Sequence, residues 1–128
     1  MRELKEAQVE RRLFKSWSLR ESWGDSLGGG LELVEACWLR VAAKTARLGH
    51  PEVKIGAVAG FGGTTRLPRL IGRGRAAELL SRGRAVTADE APNIGLIHDG
   101  VEADELPVAA ETLARDLLAR SPTAVRLT

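Results

Sequence analysis

Two glutamates occupy settings suited to acid–base chemistry. Glu32 lies inside GGGLEL, residues 28–33, and Glu52 follows Pro51 in GHPE, residues 49–52, a separation of 52 − 32 = 20 positions. The triple glycine runs straight into an apolar segment, which predicts a helix beginning there. A carboxylate in the first turn of a helix is favoured by the dipole. A glycine at that point leaves its amide open, so the Gly29 N–H can meet a developing oxyanion. Two carboxylates beside such a donor suit general acid–base work on a carbonyl compound. The plainer alternative is a first-turn glutamate that stabilises its helix and a second glutamate solvated in a loop.

The elements that must carry these residues follow from apolar periodicity and turn chemistry. Residues 2–17 predict a helix, with Leu4, Ala7, Leu13, Phe14 and Trp17 on one face. SLRESWGDS, residues 18–26, is polar and reads as a turn. A helix is expected from Gly29 to about Arg40, with Leu31, Val34 and Trp38 on one face, and LRVAA, residues 39–43, reads as a short strand. Residues 48–66 are rich in glycine and read as loop. Two helices are expected near 63–71 and 74–82, separated by Gly72. Thr87 and Glu90 have the spacing of a capping box, and Pro92 makes the helix that follows short or kinked. LIHDGVE, residues 96–102, reads as strand and turn. A last helix is expected from about Glu105 to Arg120, capped by Asp104, with Pro107 in its first turn and Leu106, Ala110, Leu113 and Leu117 as its stripe.

Bulk properties narrow the function classes. The length of 128 residues corresponds to one domain, and 44% hydrophobic with 28% charged residues is the composition of a soluble globular protein. No apolar run is long enough to cross a bilayer. The start, MRELKEAQVERR, has no apolar h-region, so it is not a secretory signal, and its acids argue against a transit peptide. The single cysteine, Cys37, cannot form an internal disulfide, which fits a reducing compartment and a cytoplasmic location. Cys37 and Trp38 are both expected to pack in the core. A net charge of +2 is too small to imply nucleic acid. Arg66, Arg69, Arg73, Arg75, Arg82 and Arg84 crowd one stretch in which Glu78 is the lone acid. A solvated face is the expected reading and a phosphate site the sharper one. No aromatic residue lies there to stack on RNA bases. His50 and His98 lack a ligand partner at workable spacing, so no metal is expected. GFGGTTR and GRGRAAEL depart from the dinucleotide fingerprint.

The order of residues adds a further reading. LGGGLELVEACWLRVAAKTARLGHPEVKIGAVAGFGGTTRLPRLIG, residues 27–72, resembles the enoyl-CoA hydratase/isomerase family, also called the crotonase family. The shared order is a G-G-G-x-E-L helix start, an A-C-D-x-R-x-A segment, an F-G-x-P-E turn, then P-G-x-G-G-T and R-L-P-R-x-x-G. Weaker similarity brings the cover to roughly residues 24–128. The resemblance implies an α/β fold: a partial crotonase-like core, a ββα spiral, followed by C-terminal helices. Residues 28–128 would form this partial domain, and residues 1–27 a divergent N-terminal helix and turn. It implies addition of water across the double bond of a 2-enoyl-CoA thioester. Glu32 and Glu52 match the family's two acid–base glutamates, Gly29 one of its two oxyanion amides, and Gly60 the glycine that helps position water. Coenzyme A is then part of the substrate, and no separate cofactor is expected. The expected partners are an acyl-CoA thioester and other subunits, in a homo-oligomer or a mixed oligomer, with neither nucleic acid nor membrane.

The departures from the pattern are specific. Trp38 stands where the family has Asp, Leu48 replaces Phe, Ala59 replaces Pro, and His50 takes a position where Gln is frequent. SWSLRESWG stands where the family has a buried strand, with Arg20 and Glu21 at apolar positions. Family members carry a longer segment ahead of the triple glycine, which supplies the second oxyanion amide and much of the coenzyme A surface. They also carry a further helical segment at the other end. The expectation is therefore a chain truncated at its N-terminus and at its extreme C-terminus. The alternative function, of a different class, is a catalytically inactive member acting as a partner-bound module.

Overall fold

The computed structural model describes residues 19–128, so the helix predicted over residues 2–17 lies outside the described residues. The chain enters through strand β1 (Leu19–Ser22) and strand β2 (Ser26–Leu27), then helix α1 (Gly29–Glu35). Strands β3 (Leu39–Ala43) and β4 (Arg47–Gly49) follow. β1 lies parallel to β3, and β2 lies parallel to β4. The consecutive strands β1 and β2 go to different sheets, as do β3 and β4, and α1 carries the chain from the first two to the second two. This is one turn of a ββα spiral. Leu19 pairs with Leu39 and Ser26 with Leu48, so a turn takes 39 − 19 = 20 to 48 − 26 = 22 residues.

The remaining elements close this frame. A 3-10 turn (Glu52–Ile55) and a loop lead into helices α2 (Gly63–Ile71) and α3 (Arg73–Arg82). Strand β5 (Ala85–Thr87) runs antiparallel to β4, and strand β6 (Asp99–Val101) runs parallel to β3. Among the described residues the strands form two three-stranded sheets, ordered β1-β3-β6 and β2-β4-β5. A short helix α4 (Glu90–Asn93) lies between β5 and β6, and helices α5 (Leu106–Leu118) and α6 (Pro122–Leu127) end the chain.

β3 explains where the core sits. All five of its residues are buried, because both faces of the strand are covered. Ala42 faces the larger cluster with Leu31, Val34, Leu48, Leu67, Ile71 and Leu79. Val41 and Ala43 face the opposite way, against Leu106 and Ala110 of α5. Leu31, Leu48 and Leu67 are almost fully enclosed, and burial of each contributes roughly 1.5–3 kcal/mol.

Several expectations are corrected here. SLRESWGDS is not a turn throughout, because residues 19–22 form β1. Its polarity belongs to a half-buried strand, in which Arg20 is exposed while Ser22 is buried. α1 ends at Glu35, well short of Arg40. The Arg40 guanidinium explains the stop: Nη1 donates to the Cys37 carbonyl at 2.6 Å and to the Trp38 carbonyl at 3.1 Å, and Nε donates to the Leu96 carbonyl at 2.6 Å. Those carbonyls turn toward the arginine, and residues 39–43 pair as a strand. Trp38 therefore leaves the core face and is 60% exposed. Cys37 is half-buried rather than enclosed, and its Sγ donates to the Leu33 carbonyl.

The second half follows its pattern more closely. α2 and α3 are separated at Gly72. Only half of the capping box at Thr87 forms. The Glu90 amide donates to Thr87 Oγ1 at 3.1 Å, but the Glu90 carboxylate receives Arg84 at 3.0 Å. α4 is four residues long and contains Pro92. Asp104 does not cap α5; it lies in a 3-10 turn (Ala103–Glu105), and α5 starts at Leu106. α6 was not expected, although Ser121 ahead of Pro122 carries its signal: Ser121 Oγ accepts from the Ala124 amide.

Candidate active site

The site grows from one conformational requirement. Gly28, at the N-cap of α1, has φ 56° and ψ −126°, a region open to glycine and strained for other residues. Its amide donates to the Gly49 carbonyl at 2.9 Å, which ties the start of α1 to the end of β4. Glu52 stands three residues beyond Gly49, in the 3-10 turn. A Cβ placed on Gly28 would lie 3.2 Å from Glu52 Oε1. The carboxyl of Glu52 thus rests against the glycines that open α1.

Glu32 reaches the same place from inside the helix. It is 2% exposed, and its Oε1 accepts the Gly63 amide at 2.9 Å. Its other oxygen faces Gly29, with 4.0 Å from Oε2 to a Cβ placed there. The two carboxyls therefore face consecutive glycines, Glu52 toward Gly28 and Glu32 toward Gly29. The first-turn amides of α1 have no carbonyl one turn earlier within the helix. Gly29 is the first of them. Gly63 must be glycine for packing: a Cβ there would lie 2.8 Å from both Ala59 Cβ and His50 Cε1, and 3.1 Å from Glu32 Oε1.

Behind Glu52 stands a buried acid–imidazole pair. His50 Nε2 and Glu35 Oε1 lie 2.7 Å apart, and both residues are buried. His50 Nδ1 faces Glu52 Oε1 at 3.6 Å. Burial raises the Glu35 carboxyl above its ordinary value, and the hydrogen bond and charge of His50 offset only part of that effect. Burial would lower the imidazole, but the hydrogen bond to Glu35 and the charges of Glu35 and Glu52 outweigh it, so His50 is held above its ordinary value. Both shifts act in the same sense: the pair retains a proton.

An open cleft of about 270 Å³ adjoins Glu32, lined by Gly29, Glu32, Leu33, Ala36, Phe61 and Arg66. Arg66 reaches back from α2 to hold the rim, donating from Nη2 to the carbonyls of Glu32, at 3.1 Å, and Phe61. Gly60 sits on the exposed loop that leads to this rim, one residue before Phe61. The rest of the arginine stretch is divided. Arg82 and Arg84 pair with Glu78, and Arg84 also pairs with Glu90. Among the described residues no group of three His, Cys, Asp or Glu side chains is disposed to hold a metal ion. No helix among them is long and apolar enough to cross a membrane.

The sequence model of the Enoyl-CoA hydratase/isomerase family matches residues 22–128. The chain belongs to that family. Its described residues accordingly form part of the crotonase fold. The chain is 44% identical over 104 residues to the short-chain-enoyl-CoA hydratase of Clostridium acetobutylicum and 46% identical over 104 residues to the crotonyl-CoA hydratase of Syntrophomonas wolfei. In both comparisons 81% of this chain is covered, and it spans 40% of the length of the relative. The crystal structure of an enoyl-CoA hydratase from Bacillus anthracis superposes with a TM-score of 0.79 at 46% identity, again over 81% of this chain and 40% of the other.

Within this member of the enoyl-CoA hydratase/isomerase family, the structure brings Glu32, Glu52 and Gly29 together at one helix start and leaves Gly60 on the adjoining loop. Sequence reasoning missed four participants: Glu35, His50, Gly63 and Arg66. Two carried a signal. Glu35 is a carboxylate three positions after Glu32 in an apolar run, which puts it on the same helix face. His50 departs from the family pattern immediately before the Pro51–Glu52 pair.

Proposed function

We propose that this chain carries the acid–base half of an enoyl-CoA hydratase site. Glu32 and Glu52 together handle the water added across the double bond of a 2-enoyl-CoA thioester. One takes a proton from water and the other supplies the proton to the α-carbon. The Gly29 amide donates to the thioester oxygen as it becomes enolate-like, and Gly60 lies on the loop that shapes the water's approach. The single observation that carries this reading is the convergence of both carboxyls on the consecutive glycines that open α1. The names of the relatives support the reaction class. The test is hydration of a short 2-enoyl-CoA by the chain and by its Glu32→Gln and Glu52→Gln variants. The variants should lose about 10²–10⁴ in kcat with KM little changed. Equal rates in all three proteins and in buffer would sink the proposal.

A second reading, a partner-bound module without catalysis, is favoured by one observation. Ile55 and Phe61 are 84% and 83% exposed near the site, with Val58 between them. Apolar side chains grouped in this way suit a surface that another chain covers. A pull-down against a full-length enoyl-CoA hydratase tests it, and failure to retain that protein would count against it.

A further inference from the structure

We propose that His50 is a positioning residue for Glu52, gripped from behind by Glu35 and presenting Nδ1 to the Glu52 carboxyl. The inference rests on the hydratase reading for its kinetic consequence and on geometry for the contact itself. Two carboxylates face the imidazole, Glu35 from α1 and Glu52 from the 3-10 turn, and the charge of Glu32, also on α1, acts on Glu35. Arg66 on α2 is the cation of the group. Only the Nε2–Glu35 contact is closed, at 2.7 Å. His50 Nδ1, Glu35 Oε2 and Glu52 Oε2 are buried and find no hydrogen-bond partner among the described residues. Buried polar atoms without partners mark a site whose contacts are completed in another state. The 3.6 Å between Nδ1 and Glu52 Oε1 is the gap to be closed, and contacts of this kind tighten when substrate seats.

The chemistry of the ring makes the grip conditional. With Nε2–H committed to Glu35, the protonated ring also has Nδ1–H and donates to Glu52. The neutral ring turns a lone pair toward the Glu52 oxygen and releases it. A histidine that merely fills the core with Glu35 would have no such effect on Glu52.

The sequence contains two histidines, His50 and His98, so their ring signals can be followed by NMR across pH in the full chain and assigned with a His98→Gln variant. Glu52→Gln should lower the His50 midpoint, and Glu35→Gln should lower it further, since burial then acts with less opposition. A His50 midpoint unmoved by Glu52→Gln would overturn the proposal. Kinetics with crotonyl-CoA supply the second readout. In His50→Leu, which cannot donate, kcat should fall by up to about 100-fold, with KM little changed, through misplacement of Glu52, whereas His50→Gln should keep most of kcat. The alkaline fall in kcat should disappear with it, because glutamine donates without titrating. An unchanged pH profile in His50→Gln would also overturn it. If no variant and no wild-type protein hydrates crotonyl-CoA, the hydratase reading fails, while the NMR titration still decides the contact between His50 and Glu52.

Discussion

The Gly63 amide donates to Glu32 Oε1 across 31 positions of sequence, at 2.9 Å, and this bond sets apart the two oxygens of Glu32. Oε1 is held by the N-terminus of α2, and Oε2 is left facing Gly29 at the start of α1. Under the proposed hydratase reading, a carboxylate held at one oxygen and open at the other has one direction in which to move a proton. The two helix starts therefore act as a clamp around one side chain.

Gly63 should tolerate no side chain. A Cβ at 2.8 Å from Ala59 Cβ and from His50 Cε1 has to displace α2 or the imidazole. Gly63→Ala should destabilise the chain by about 1–3 kcal/mol, measured as a lower midpoint in urea. Gly74→Ala, in α3 where nothing lies within 4 Å, serves as the matched control and should not lower the midpoint, since alanine favours the helix.

Gly28 should be sensitive for a different reason. Its positive φ and its ψ of −126° exclude an L side chain without strain, and Glu52 Oε1 occupies the space beside it. Gly28→Ala should cost about 1–3 kcal/mol and also push Glu52 away from α1. Gly24→Ala, in open space, should do neither. A Gly28→Ala protein as stable as wild type would contradict this account of the turn.

Arg40 should resist replacement by lysine. The residue is 5% exposed, and its guanidinium serves the carbonyls of Cys37, Trp38 and Leu96. A lysine cannot reproduce that fork. Arg40→Lys and Arg40→Met should each cost about 2–3 kcal/mol, the scale of a hydrogen bond to a charged group together with the carbonyls left unmade. Thermal or urea unfolding reads the effect, and full rescue by lysine would refute the fork argument.

Stability should fall with rising pH because of the Glu35–His50 pair. His50 is held above the ordinary histidine value of 6.5. Its contribution is fully present below 6.5 and is lost as pH rises through the folded-state value. Glu35, raised above the ordinary 4.5, also binds its proton more tightly in the folded state, so its slope has the same sign at lower pH. In Glu35→Gln the buried imidazole loses its main partner, and the histidine slope should reverse. Denaturant midpoints measured from pH 5 to 9 for both proteins check the sign.

Much of this architecture is legible in local sequence. The glycine run and the apolar spacing of Leu31 and Val34 specify α1, and Gly72 separates α2 from α3. Short-range sterics decide these features, and sequence records short-range sterics directly. β1 was hidden from local pattern because LRES, with Arg20 outward, has the composition of a turn, although the family resemblance puts a strand there. Trp38 was misplaced because helical periodicity has no knowledge of Arg40, whose hydrogen bonds end α1 before the tryptophan can turn inward.

By itself the sequence determined the residue types, the positions at which only glycine serves, and the 20-residue interval between Glu32 and Glu52. The tertiary structure decided what that interval means. One turn of the spiral takes 20 to 22 residues, so an acid on α1 and an acid one turn later are stacked on the same side. The fold also brought Glu35, His50 and Gly63 into contact. Their partners are set by parallel strand register and by helix-on-helix packing between distant segments, and no local pattern encodes such long-range contacts.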